Sequence, residues 1–176
     1  MSSNTGMGSA SRSSDDSPKS SGVEVRPIKA SEIESAASLV SRLKRLNGEF
    51  DPLLKTSEGL ESEALEALKR AALSSQSVVL VAVAGTKIVG VVKADLVDRV
   101  FYEPRLEGAI VEFYILPEFR RGSLGLKLLS SMVQKLKEKG AELITAEFPS
   151  QNEIAKRFYT KLGFRSLTNV YAKAES

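Results

Sequence analysis

The stretch ILPEFRRGSLGLKLL, residues 115–129, decides how the chain is read. The run IVEFYIL (110–116) is rich in β-branched and aromatic residues and enters this stretch as a strand, which Pro117 ends. Leu124, Leu128, Leu129, Met132 and Leu136 then recur at helical spacing as far as Gly140, a suitable helix stop. Between strand and helix lies a short basic loop. Its backbone amides, exposed by small residues, meet the free N–H groups of a helix start, and such a nest binds phosphate oxygens. Gly122 and Gly125 let a ligand approach the main chain, while Arg120 and Arg121 add positive charge. A diphosphate fits this description. The loop is neither GxxxxGKS nor GxGxxG, so the P-loop and dinucleotide fingerprints both fail.

Working outward, VEVRPI (23–28) reads as a first strand. Ser31 with Glu34 forms a capping box for a first helix carrying Ile33, Ala37, Val40 and Leu43, which Asn47-Gly48 is expected to stop. SEALEALKRAAL (62–73) places Leu65, Leu68 and Ala72 on one face of a second helix. VVLVAVA, the turn Gly85-Thr86 and KIVGVVKADLV make an antiparallel hairpin. Residues 98–108 read as a polar loop. Beyond the central unit, LITAEF gives another strand, and Ser150 with Glu153 caps a helix that bears Ile154, Phe158, Tyr159 and Leu162 and closes at Gly163. The final segment FRSLTNVYAKA is expected to add one or two more strands. Residues 1–22 are Ser- and Gly-rich, hold no Val, Ile, Leu or aromatic residue, and read as a disordered tail, leaving 23–176 as one domain.

Composition prunes the chemistry. The chain has no cysteine and no histidine, which excludes disulfides, thiolate metal sites, a cysteine nucleophile and serine–histidine hydrolysis. A catalyst must therefore use Glu, Asp, Tyr, Lys, Ser or Thr with backbone amides, and no metal is expected. The net charge of +3 is spread along the chain without a nucleic-acid motif. No apolar run approaches the ~20 residues of a membrane span, so a soluble, cytoplasmic protein is the expectation.

The order of the central segment resembles the acetyl-coenzyme A signature of the GNAT superfamily of N-acetyltransferases: Arg or Gln, two residues, Gly, any residue, Gly or Ala. It is carried here by Arg120, Arg121, Gly122, Ser123, Leu124 and Gly125, with Ser123 where the middle glycine usually stands. Ile115, Leu116 and Pro117 also fit. A second match follows about thirty residues on, where Asn152, Ala155, Phe158, Tyr159, Leu162, Gly163 and Phe164 are similar to the family's Asn, Ala, aromatic-Tyr, Leu-Gly-Phe segment.

The resemblance implies a three-layer α/β (α+β) fold, with a mixed, mostly antiparallel sheet of about six or seven strands, splayed at its centre, and about four helices. It implies acetyl-CoA as cosubstrate and an amine as acceptor, with a homodimer compatible and neither nucleic acid nor membrane as partner. A freed amide at Ile115 or Leu116 would hold the thioester carbonyl, Tyr159 would be the general acid, and Asn152 would touch the pantetheine arm. Glu112 is the first choice for the base, equally readable as an ordinary strand carboxylate, with Glu147 in reserve. Asp51 and the 98–108 loop could line an amine site, although acids on loops are usually just solvated. A noncatalytic acyl-CoA-binding module is the rival reading, and a nucleotide-binding module of another α/β fold a third.

Overall fold

The computed structural model describes residues 22–175, so the Ser/Gly-rich segment expected to be a tail lies, apart from Gly22, outside the described residues. Five strands form one sheet in the order β1 (Val23–Pro27), β2 (Ser77–Ala84), β3 (Lys87–Asp98), β4 (Leu106–Ile115) and β5 (Leu143–Ala146). Neighbours are antiparallel except β4 and β5, which are parallel. The helices are α1 (Ile33–Phe50), α2 (Leu60–Leu73), α3 (Leu124–Glu138) and α4 (Glu153–Lys161).

The sheet is covered on both faces, which is why β2 and β3 read as nearly continuous apolar runs. A side-chain carbon on Gly90 would touch Leu128, and one on Gly108 would touch Leu136, so both glycines face α3. Alternation puts Val91 and Lys93 on the opposite face, where α1 packs on β3 and β4 and α2 on β2. Val81, Val89, Val91 and Val92 are fully enclosed between these layers.

Two irregularities shape β4. Lys93 pairs with Glu112 but Ala94 pairs with Ile110, so Val111 is an extra residue and β4 bulges there. On its other edge β4 pairs with β5 only from Glu107 to Ile110, and the last link is Glu147 N–H to Ile110 O at 3.0 Å. Beyond Ile110 the two strands part.

Several expectations are corrected. The sheet has five strands among the described residues, not six or seven, because 165–175 form no strand. Leu167, Val170 and Tyr171 do not alternate with period two, so they offer no common face to bury, and Val170 and Tyr171 stand 96% and 92% exposed. Helix α1 runs through Asn47-Gly48 to Phe50, and Leu46 still packs against the core there. The Ser31–Glu34 box is not made; Glu32 accepts from Lys29 N–H at 2.9 Å, ahead of a 3₁₀ turn. Asn152, not Ser150, caps α4. The 98–108 loop shrinks because β3 and β4 stay paired out to Asp98 and Leu106.

No helix among the described residues is long and apolar enough to cross a membrane. No group of three or more acidic residues among them could hold a metal ion.

Two stability predictions follow from this packing. In Gly108→Ala the new carbon would sit 2.8 Å from Leu136 Cδ1 and 3.1 Å from its Cβ, so the fully buried Leu136 side chain or α3 must shift. Overpacking of this kind costs about 1–3 kcal/mol, and thermal denaturation should show a Tm lower by several degrees. The second concerns Glu32, which Arg26 grips through bonds of 2.9 and 2.6 Å. The Arg26 hydrogen bond holds the Glu32 carboxyl down at about 2, against an ordinary value of 4.5. A depressed carboxylate stabilises the fold above its unfolded value, and that contribution is lost as pH falls through the folded one. Unfolding titrations should therefore show the gap between parent and Glu32→Gln closing from pH 4.5 towards 2.

Candidate active site

The site begins with main-chain direction on β4. Leu116 N–H donates to Val89 O at 2.9 Å, which commits that residue to β3. Alternation along an antiparallel strand turns the N–H and C=O of Ile115 to the opposite edge, where β5 has already departed. The Ile115 carbonyl accepts from Arg120 Nε at 2.8 Å, which leaves its N–H facing the gap. Of the two residues the sequence left open, Ile115 presents the free amide and Leu116 does not. Pro117 then opens a 3₁₀ turn to Phe119 that carries the chain off the sheet.

The basic loop follows. Arg120 folds back, with its guanidinium over the Tyr114 ring at 5.1 Å, while Arg121, Gly122 and Ser123 are exposed. The left-handed conformation falls on Gly122, at φ 103°, a glycine position by nature. Ser123, at φ −95°, ψ 3°, needs no such freedom, which explains why a serine stands where a glycine was expected. Its side chain makes no cap, so the first-turn N–H groups of α3 are not satisfied by it. Buried Leu124 anchors this helix start. A side-chain carbon on Gly125 would lie 3.5 Å from Phe158 and 3.8 Å from Ile115, so this glycine draws α3, α4 and the end of β4 together.

Helix α4 closes the gap with aromatic rings. Tyr159 is 5% exposed and stacks on Phe148, with centroids 5.4 Å apart and planes 7° apart. Phe113, Phe158 and Phe164 meet it edge-on at 6.4, 5.2 and 5.2 Å. Burial pushes the Tyr159 hydroxyl well above the ordinary phenol range, so it stays protonated at neutral pH and can donate. Asn152 accepts from Ala155 N–H at 3.0 Å through Oδ1, which makes it a helix cap and leaves its amide nitrogen available.

Glu112 lies on the other face. It stands opposite Lys93 in register and therefore faces α1, not α3. Lys44 of α1, which the sequence reading did not single out, places its Nζ 2.8 Å from Glu112 Oε2. This is an ion pair outside good hydrogen-bond direction, since Oε2 is buried without a hydrogen-bond partner. Ser41 Oγ and Asn47 Oδ1, also on α1, are buried without partners as well. The remaining acids are accounted for locally. Asp51 caps a 3₁₀ turn through Leu53 N–H, Asp98 binds Arg105, and Glu107 binds Arg99 and Thr145. Glu147 is exposed at the end of β5.

The structure thus brings Ile115, Arg120, Gly125, Phe158 and Tyr159 together where β4 and β5 part, with Leu116 and Pro117 next in the chain, Arg121–Ser123 exposed ahead of α3, Asn152 capping α4 and Glu112 on the other face of β4. A cleft of about 480 Å³ lies elsewhere, between α1 and the β2–β3 turn, and shares with this set only Leu116. The trough left where β4 and β5 part is marked by its main-chain groups.

The sequence profile of the Acetyltransferase (GNAT) family matches residues 43–164. No curated protein matches the sequence. Among solved structures the chain is similar to a predicted acetyltransferase with acetyl-CoA from Clostridium acetobutylicum, at 16% identity and TM-score 0.72, covering 87% of this chain and 96% of that one. It is similar to the aminoglycoside N-acetyltransferase AAC(6')-Iy in complex with CoA, at 15% identity and TM-score 0.70, covering 90% and 97%. It is also similar to a transcriptional regulator from Bacillus halodurans, at 20% identity and TM-score 0.69, covering 87% and 99%.

If the trough takes coenzyme A, the ligand will protect the protein against heat, by about 2.7 kcal/mol at a hundred times its Kd. Gly125→Glu, which sets a carboxylate among the first-turn amides, should keep the circular dichroism of the parent and lose that protection. An unchanged thermal shift in the variant would place the ligand elsewhere.

Proposed function

The chain belongs to the acetyltransferase (GNAT) family, and from that premise we propose that it transfers an acetyl group from acetyl-CoA to a primary amine of a small molecule or peptide, by direct attack in a ternary complex. The observation that carries this reading is that β4 loses its β5 neighbour after Ile110, which turns the Ile115 N–H towards the opening, near an α3 start without a side-chain cap and the buried Tyr159.

Acetyl-CoA supplies an acyl carbon attached to a thiol leaving group. The first-turn amides of α3, with Arg121 beside them, suit its diphosphate. Ile115 N–H suits the thioester oxygen, and a preorganised donor of this kind contributes about 10²–10³ in rate. The arriving amine must lose a proton, since free alkylamines of the lysine type have pKa near ~10.4. Glu112, on the face of β4 opposite α3 and ion-paired with Lys44, is the carboxylate suited to that role, directly or through water. Tyr159 keeps its proton and can pass it to the departing sulfur. The lack of any cysteine removes an acyl-thiol enzyme as the alternative.

Tyr159→Phe preserves the ring packing and deletes only the donor. It should fold and be protected by coenzyme A as the parent is, with kcat lower by about 10²-fold, measured as thiol release. Equal turnover would remove Tyr159 as the acid. Protection by coenzyme A without thiol release across a panel of amines and peptides would favour a noncatalytic acyl-CoA-binding module instead.

A further inference from the structure

We propose that Lys44 is itself an acetyl acceptor, so that the chain modifies a lysine standing in its own amine site; this rests on the function proposed above. Lys44 Nζ is 2.8 Å from Glu112 Oε2, so that a small turn of the ammonium into hydrogen-bond direction lets it surrender its proton to that carboxylate. The Glu112 side chain is 14% exposed and that of Lys44 38%, so the carboxylate is sheltered while the lysine arm is free to swing. Ser41, Lys44 and Asn47 follow one another at three-residue spacing on α1, and the buried Ser41 Oγ, Asn47 Oδ1 and Glu112 Oε2 all lack hydrogen-bond partners among the described residues. Buried polar atoms without partners are costly, and these three lie on Glu112 and on the helix that carries Lys44.

Other lysines are placed differently. Lys69, Lys135 and Lys156 pair with acids one turn away on their own helices, and Lys87 pairs with Glu118 at the surface. Lys93, opposite Glu112 in register, turns its ammonium to Asp95 at 2.6 Å. From Glu112 to Ile115 the strand rises about 10 Å, at ~3.3 Å per residue, so the proposal requires the lysine arm to swing along the strand from Glu112.

The step balances without a further reagent. Lys44 ammonium gives one proton to Glu112, which passes it to solvent. The neutral nitrogen bonds to the acyl carbon as the carbon–sulfur bond breaks. The second nitrogen proton is lost as the amide forms, the thiolate takes a proton from Tyr159, and the tyrosine is reprotonated. The products are acetyl-Lys44, free thiol and one proton. Acetylation removes the lysine charge and frees Glu112 from its cation, opening that carboxylate to an external amine.

The test incubates the whole protein with acetyl-CoA alone and follows each lysine peptide by mass spectrometry. Lys44 should gain one acetyl group at least tenfold faster than exposed Lys87, at a rate independent of protein concentration, and Glu112→Gln should slow it by about 10²-fold. Lys44→Arg should leave no residue modified at that rate. If the protein binds coenzyme A and releases thiol with an external amine, yet Lys44 is untouched or no faster than Lys87, the proposal falls and the function stands. A rate that rises with protein concentration marks transfer between molecules and also overturns it. If coenzyme A gives no protection at all, the function itself fails.

Discussion

Everything in this molecule turns on the loss of one strand neighbour. β4 is hydrogen-bonded on both edges as far as Ile110, and from there its outer edge has no strand beside it among the described residues. Backbone N–H groups away from water are expensive to leave unpaired, so a free one at Ile115 persists because the surroundings fix it: β3 holds Leu116, Arg120 holds the Ile115 carbonyl, and Pro117 ends the strand. The same departure makes room for α4 to bring Phe158 and Tyr159 against Phe113. A bulge at Val111 sits just where pairing with β5 stops, and it decides that Glu112 faces α1 while Phe113 and Ile115 face α3 and α4. One local irregularity therefore separates a carboxylate side from a phenol side of the same strand.

The two sides differ in physical character. On the α3 and α4 side the groups are main-chain amides and aromatic rings, with little side-chain charge beyond Arg120 and Arg121, which suits a long ligand held mostly by backbone. On the α1 side the groups are a carboxylate, an ammonium, a hydroxyl and an amide in a half-enclosed setting. Burying Glu112 with Lys44 close by is a costly arrangement unless something offsets it.

Much of this was legible in residues alone. The strand, loop and helix at 110–140 were read correctly because period two, Pro117 and the leucine repeat each mark their own element. Tyr159 is singled out by its place in an ordered segment, not by any property of a lone tyrosine. What stayed hidden was non-local. No sequence pattern shows where β5 stops accompanying β4, and the extra residue at Val111 breaks the parity by which Glu112's face would be assigned. Lys44 looks like any lysine on an amphipathic helix until the register of α1 on β4 is known. The carboxy-terminal strands were over-read because apolar residues are present there, yet their spacing gives no shared face.

The central claim concerns main-chain amides, and amide-resolved nuclear magnetic resonance during an acetyl-CoA titration addresses it directly. The account predicts that the N–H resonances of Ile115 and of Gly122 to Leu126 move and saturate together, with those of the α1 cleft at Glu34 to Arg42 and Thr86 to Ile88 unmoved. Saturable shifts confined to that cleft, with Ile115 and the α3 start unaffected, would contradict it.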